Sequence, residues 1–287
     1  MNSIKTVFLL TLLSAILLAL GYLFAGQAGL VVALVLAGVI NIGSYWFSDR
    51  LALKMAGARE VTPEQEPRLH AIVDEVASMA RLPKPRVYVV ENDAPNAFAT
   101  GRNARHAAVA ATTGILHILD DRELTAVLGH ELGHVRNRDI LINAVVATVA
   151  SAIMFVAFMG RWALFFGGRG RTSYDGIVRL VAILAMVIVA PIAATLIRLA
   201  ISRQREYAAD EAGAGITHMP LALASALEKL DAYSHARPMQ VNPAVAHLFI
   251  VNPLGRMHFT TLFSTHPPIH KRIERLQRMA WRIRSQV

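Results

Sequence analysis

His130-Glu131-Leu132-Gly133-His134 places two imidazoles and a carboxylate in the His-Glu-x-x-His spacing. On a helix, residues i and i+4 lie one turn apart on the same face. Both rings can then reach one ion at the usual Zn–N distance of about 2.0–2.1 Å. Glu131 is too displaced to share the ion. It can instead touch a water bound there, whose pKa zinc lowers to about 7, take its proton and hand it to a leaving amine. That is peptide-bond hydrolysis by activated water. The plain rival is a helix with surface histidines and no metal.

A catalytic zinc takes three protein ligands and keeps one position open. The chain has no cysteine, so thiolate ligands, cysteine nucleophiles and disulfides are excluded. The metzincin pattern would put a third His at position 140, which is Ile140. A Glu on a second helix is the other common solution, and Arg205-Glu206-Tyr207-Ala208-Ala209-Asp210 offers one. Glu206 would ligate. Asp210, one turn on, would accept a hydrogen bond from the free ring nitrogen of a ligand His and fix its tautomer. The plain alternative is an acidic helix paired with Arg203 and Arg205.

The elements that must hold these residues are legible in part. Asp120-Asp121-Arg122-Glu123 is a capping-box variant, and the helix it opens should run past His134. Leu124, Leu128, Leu132 and Val135 fall on a face away from the metal side and can bury it. Glu64 to Leu82 has apolar residues at helical spacing and is ended by Pro83 and Pro85. Arg86–Val90, Asn96–Gly101 and His106–Thr113 read as short strands, with Gly101 and Asn103 supplying a turn. Ser202–Ala212 and Leu221–Tyr233 read as helices. Ala244–Val251 is apolar but short, and reads as buried or interfacial. Lys271–Arg284 is a basic helix with Ile273, Leu276, Met279 and Ile283 along one side. It suits either anionic headgroups or a dock on the domain.

Of the 287 residues, 54% are hydrophobic and 17% charged, too oily for a typical soluble domain. Val7–Ala25 and Gly29–Phe47 are apolar runs close to the ~20 residues that cross a bilayer, joined by Gly26-Gln27-Ala28. The first run is longer than a signal-peptide core, and a second follows at once. Ile140–Gly160 and Leu180–Ile197 form a second pair. No run carries a charge, which argues against a transporter or proton pump. Lys5, Arg50, Lys54 and Arg59 put the N-terminus and the residues after Phe47 on the cytoplasmic side. The second pair is joined by Arg161, Arg169, Arg171 and Arg179, so whether it spans fully stays open. The net charge of +9 suits an anionic lipid surface, and no nucleic-acid motif appears.

These pieces together resemble the HtpX-type membrane zinc peptidases, bacterial relatives of the prenyl-protein endopeptidases. The resemblance is carried by the N-terminal hairpin, Asn96-Ala-Phe-Ala-Thr-Gly101, His130-Glu-Leu-Gly-His134, the second hairpin, Glu206-Tyr-Ala-Ala-Asp210 and Ser264-Thr-His-Pro-Pro268, in that order. It implies one zinc per chain held by His130, His134 and Glu206, and catalysis by Glu131. It also implies cytoplasmic-side cleavage of damaged or misassembled membrane proteins in the bacterial inner membrane. His266 would lie near the site and help stabilise the oxyanion. Asn96, Ala97 and Phe98 would form a sheet edge that takes substrate as an added strand.

The expected fold is a mostly α membrane protein with a gluzincin-like α+β zinc peptidase domain and four hydrophobic segments in two hairpins. The expected division is 1–49 for the first hairpin, 50–139 for the first catalytic part, 140–198 for the second hairpin and 199–287 for the part bearing the third ligand. Substrates would be unfolded or membrane proteins. Oligomeric state is open. The rivals are a prenyl-protein peptidase and a membrane scaffold that keeps zinc for folding alone. A base at Glu131 argues against the second.

Overall fold

The computed structural model describes residues 2–143, 145, 203–236, 239, 241–242, 245–251 and 267–284, with only part of the side chains of the first helix. The second hydrophobic hairpin beyond Val145 and the Ser264–Pro268 motif up to His266 lie outside the described residues.

Helix α1 (Asn2–Met55) carries both N-terminal apolar runs. Gly26 holds φ 55, the left-handed region, at the residue where the sequence placed a turn, and the backbone on either side is helical. Among the described residues no helix is long and apolar enough to cross a membrane. Most side chains of the first apolar run fall outside that set.

Four strands follow: β1 (Ala58–Glu60), β2 (Arg86–Val90), β3 (Ala97–Gly101) and β4 (Ala107–Thr112). They form one sheet in the order β1-β2-β4-β3. β2 and β4 are parallel, the other pairs antiparallel, and β3 is an edge. Helix α2 (Pro67–Ala80) lies between β1 and β2. It starts later than expected, at a proline suited to a first turn. It ends at Arg81, whose left-handed φ of 54 lets its N–H cap the last carbonyls. Two elements were not foreseen. β1 is three residues long and shows no alternation. Helix α3 (Thr113–Ile118) begins where the strand was expected to continue, because the Thr112 hydroxyl accepts from Ile115 N–H and caps it.

Period-two alternation sends Val87, Val89, Val109 and Ala111 into one apolar cluster and Tyr88, Val90, Phe98, Ala108 and Ala110 into another. The first cluster is covered by α2 and by helices α4 (Asp121–Arg136), α5 (Arg203–Thr217), α6 (Pro220–Ala236) and α7 (Ile269–Arg284). The second takes in Ala52, Leu53 and Ala56, the last turns of α1. The basic helix α7 docks by its apolar side: Leu276 is fully buried, with Ile269, Ile273 and Met279 against the core, and Lys271, Arg275, Arg278 and Arg282 face outward. The Ala244–Val251 run is buried where described, with a 3-10 turn at Ala246–Leu248.

Candidate metal centre

Helix α4 opens with the expected capping box. Glu123 N–H donates to the Asp120 carboxylate at 2.9 Å and Asp120 N–H to the Glu123 carboxylate at 3.1 Å. It differs from expectation in burial. Every residue from Glu123 to Val135 is buried, so the helix is central and has no outer face. Burying Leu124, Leu128 and Leu132 contributes about 1.5–3 kcal/mol each.

Helix α5 crosses α4 antiparallel at backbone contact. A Cβ at Gly213 would come within 2.5 Å of His130 N and 2.7 Å of His130 Cα, and one at Gly129 within 2.5 Å of Thr217 Cγ2. Only glycine fits there, and that closeness brings Glu206 over the two histidines. Glu206 Oε1 lies 3.5 Å from His134 Nε2, and its Oε2 lies 3.8 Å from His130 Nε2. One ligand atom from each of His130, His134 and Glu206 lies within 4.8 Å of the others. Ligands bound tetrahedrally at about 2.0–2.1 Å stand roughly 3.4 Å apart, so this opening has the size of a zinc site.

The opposite ring nitrogens are both backed by carboxylates. His130 Nδ1 lies 3.0 Å from Asp210 Oδ1, and His134 Nδ1 lies 3.1 Å from Asp139 Oδ2. Nδ1–H donation in both rings turns the Nε2 lone pairs toward the opening. The sequence pointed to Asp210. It did not point to Asp139, which returns beneath His134 because Arg138 takes φ 60 and Asp139 N–H donates to His134 O at 2.9 Å.

Arg272 was also missed. It is fully buried on α7 and grips Asp210 with two bonds, Nε to Oδ2 at 2.9 Å and Nη2 to Oδ1 at 2.7 Å. Its Nη1 donates to Ile250 O at 3.1 Å and lies 3.6 Å from Glu206 Oε2. Its signal was phase: Arg272 stands at the i−4 and i−7 positions of the buried stripe of Leu276 and Met279. Arg205, the partner in the plain acidic-helix alternative, does not serve Asp210. Neither of its terminal nitrogens has a hydrogen-bond partner among the described residues, and its charge acts on Asp139 and Glu206 instead.

Glu131 Oε2 accepts Ala99 N–H on β3 at 2.7 Å. This fixes the carboxylate between the histidines and the sheet edge. The edge is narrower than expected. Ile250 N–H donates to Ala97 O, and Asn96 Nδ2 donates to Val251 O, so Asn96 and Ala97 are already covered. The Phe98 ring is buried against Phe249 with centroids 4.9 Å apart. The outward backbone groups left among the described residues run from Ala99 toward Gly101. His70, on α2, bonds Val61 O through Nε2.

Four carboxyls, those of Glu131, Asp139, Glu206 and Asp210, converge around the Arg272 guanidinium, and the charge of Arg205 acts on Asp139 and Glu206. Burial pushes the Glu131 carboxyl up to about 8, helped by the nearby Glu206 charge. Burial opposes charge on His134, but its bond to Asp139 and the charges of Glu206 and Glu131 outweigh it and raise it to about 9. Burial lowers His130, with Arg272 adding to that. Burial acts to raise Asp210, but the Arg272 charge together with the hydrogen bonds from His130 and Arg272 outweighs it, and the net shift is downward. Glu131 and His134 therefore hold protons more tightly folded than unfolded, and the stability this brings is lost as pH rises. With a chelator present, Tm should fall between about pH 6.5 and 9, at about 2–4 °C per kcal/mol lost. Zinc added to the His130, His134 and Glu206 group would have to displace the His134 proton, so its stabilisation should grow over the same interval. A Tm that stays flat or rises in the chelated protein would contradict this charge balance.

The chain is similar to several known proteins. The fold resembles the crystal structure of Ste24p from S. mikatae, with TM-score 0.50 at 16% identity over 96% of this chain; this chain spans 65% of that longer protein. A protein named protease HtpX homolog from Desulforapulum autotrophicum is 50% identical over 96% of this chain and 89% of its own. Proteins of the same name from Desulfatibacillum aliphaticivorans and Aquifex aeolicus are 52% and 51% identical, each over 89% of its own length. The model of peptidase family M48 matches residues 63–280, a stretch that holds every member of the His130, His134 and Glu206 group, and the chain, a metallopeptidase, belongs to that family.

Proposed function

We propose that the chain is a multi-pass membrane zinc endopeptidase of the bacterial inner membrane, with its catalytic domain on the cytoplasmic side. Its substrates would be unfolded or misassembled proteins, membrane proteins among them. His130, His134 and Glu206 hold one zinc, and Glu131 is the base. The observation that carries this reading is the inward turn of both Nε2 atoms toward one carboxylate while Asp210 and Asp139 occupy both Nδ1 atoms. Zinc there supplies the Lewis acidity that makes water nucleophilic near neutral pH and polarises a carbonyl.

The residues of the chain do the rest. Glu131 is buried beside the two histidines, where a carboxylate is placed to take a proton and return it. Ala99 N–H orients it. A substrate strand laid along Ala99–Gly101 brings its carbonyls beside Glu131. Asp210, held by Arg272, and Asp139 keep the two imidazoles in the tautomer that ligates.

Glu206→Gln tests the ligand set. The amide keeps the shape and loses the charge, so zinc affinity and hydrolysis should fall together. Retention of one zinc per chain by the variant would remove Glu206 from the set. A scaffold that uses zinc only for folding would bind the ion and leave every unfolded substrate intact.

A further inference from the structure

We propose that the site works at a fixed depth of about 10 Å from the lipid surface, so that the protein cuts membrane-anchored substrates within about three to six residues of the end of their apolar span. This rests on the reading above that α1 crosses the bilayer and that β3 receives substrate. It adds where on the substrate the cut falls.

The apolar part of α1 ends at Trp46 and Phe47, which are 51% and 56% exposed. Arg50 and Lys54 follow. Aromatic rings followed by cations mark the headgroup level of a span. The helix continues from there into the domain with no linker. Asp49 is buried and accepts from Arg86 Nη2 at 2.9 Å, and Ala52, Leu53 and Ala56 pack under the sheet.

β3 lies along this stretch in the reverse direction. Phe98 shares the apolar cluster of Ala52, Leu53 and Ala56, while Arg102, just past the strand's end, sets its guanidinium 4.6 Å from the Trp46 ring. The end of β3 nearer Gly101 is therefore the membrane end. The strand then measures the depth of Glu131, which is bonded to Ala99. From Ala99 to Arg102 is three extended residues at about 3.3 Å each, about 10 Å in all. The far side of the edge is closed by Ile250 at Ala97. The outward groups between Ala99 and Gly101 lead from Glu131 toward the lipid, and an extended substrate covers that distance in about three residues. A headgroup layer about 5–7 Å deep adds one or two more.

The test uses the full-length zinc protein in liposomes. One cleavable sequence, mapped first in a soluble unfolded protein, is moved stepwise along the polar tail of a single-span substrate. The cleavage rate should peak when the bond lies about three to six residues from the span, and inserting seven helix-forming residues between Phe47 and Ser48 should move the peak outward by about three residues. Cleavage of the soluble protein should not change, which shows that the insertion folds. Rates that are equal at every position, or that rise with distance, overturn the fixed depth while soluble cleavage keeps the peptidase reading intact. Loss of cleavage of both substrates by the unmodified protein overturns both.

Discussion

Glu131→Gln should leave one zinc per chain and lower kcat/KM on an unfolded protein by about 10²–10⁴-fold, the usual contribution of a positioned base. The amide is isosteric, and its oxygen can still accept Ala99 N–H, so the sheet edge and the helix stay in place. What disappears is the group that takes the proton. The same change removes one of the two groups that make the chelated protein less stable at high pH. Tm of the chelated variant should therefore fall less steeply between about pH 6.5 and 9 than that of the parent, because only His134 still titrates in that range. Metal content, rate and pH slope are three separate readings. Cleavage at the parental rate with zinc bound would show that another group is the base.

Arg272→Met should be nearly as damaging although the residue is distant in sequence from both motifs. The thioether fills much of the volume but leaves Asp210, 3% exposed, with no guanidinium. Removing one partner of a buried pair costs about 3–5 kcal/mol. Loss of the grip on Asp210 also frees His130 to turn, and disturbed outer partners lower metal affinity by about 10–100-fold. Arg272→Lys should recover little, since an ammonium cannot make the two-point bond. The informative comparison is the double variant Arg272→Met with Asp210→Asn, which removes both charges. It should be more stable than Arg272→Met alone, and it should still bind zinc more weakly than the parent. Simple addition of the two single losses would show that the pair is not coupled.

The contrast between Asp120 and Arg272 shows what the sequence could reveal. The capping box is local: donor, acceptor and spacing lie within four residues, so the start of α4 could be read directly. The zinc spacing and the Glu206–Asp210 turn are local in the same sense. The buried surroundings of α4 are not. Its full enclosure depends on α2, α5, α6 and β3 arriving from four parts of the chain, and an amphipathic pattern seemed sufficient without them. Arg272 hides among Lys271, Arg275 and Arg278, and only its phase relative to Leu276 separates it from its solvated neighbours. Asp139 depends on a single left-handed residue, Arg138, which no propensity favours. The substrate edge was misjudged at Asn96 and Ala97 for a similar reason. The groups that cover them, Ile250 and Val251, are more than 150 residues away.

The grip of Arg272 on Asp210 also bears on how the protein is made. The ribosome delivers His130 and His134 first, Glu206 much later, and Arg272 only near the end of the chain. Until α7 has emerged and docked, Asp210 has no counter-charge, and the histidine it holds is free to rotate. From His134 until Arg272 has emerged, a nascent chain therefore carries the hydrolytic motif without a finished centre. The hydrolytic centre is in this way completed late, only once α7 has docked on Asp210.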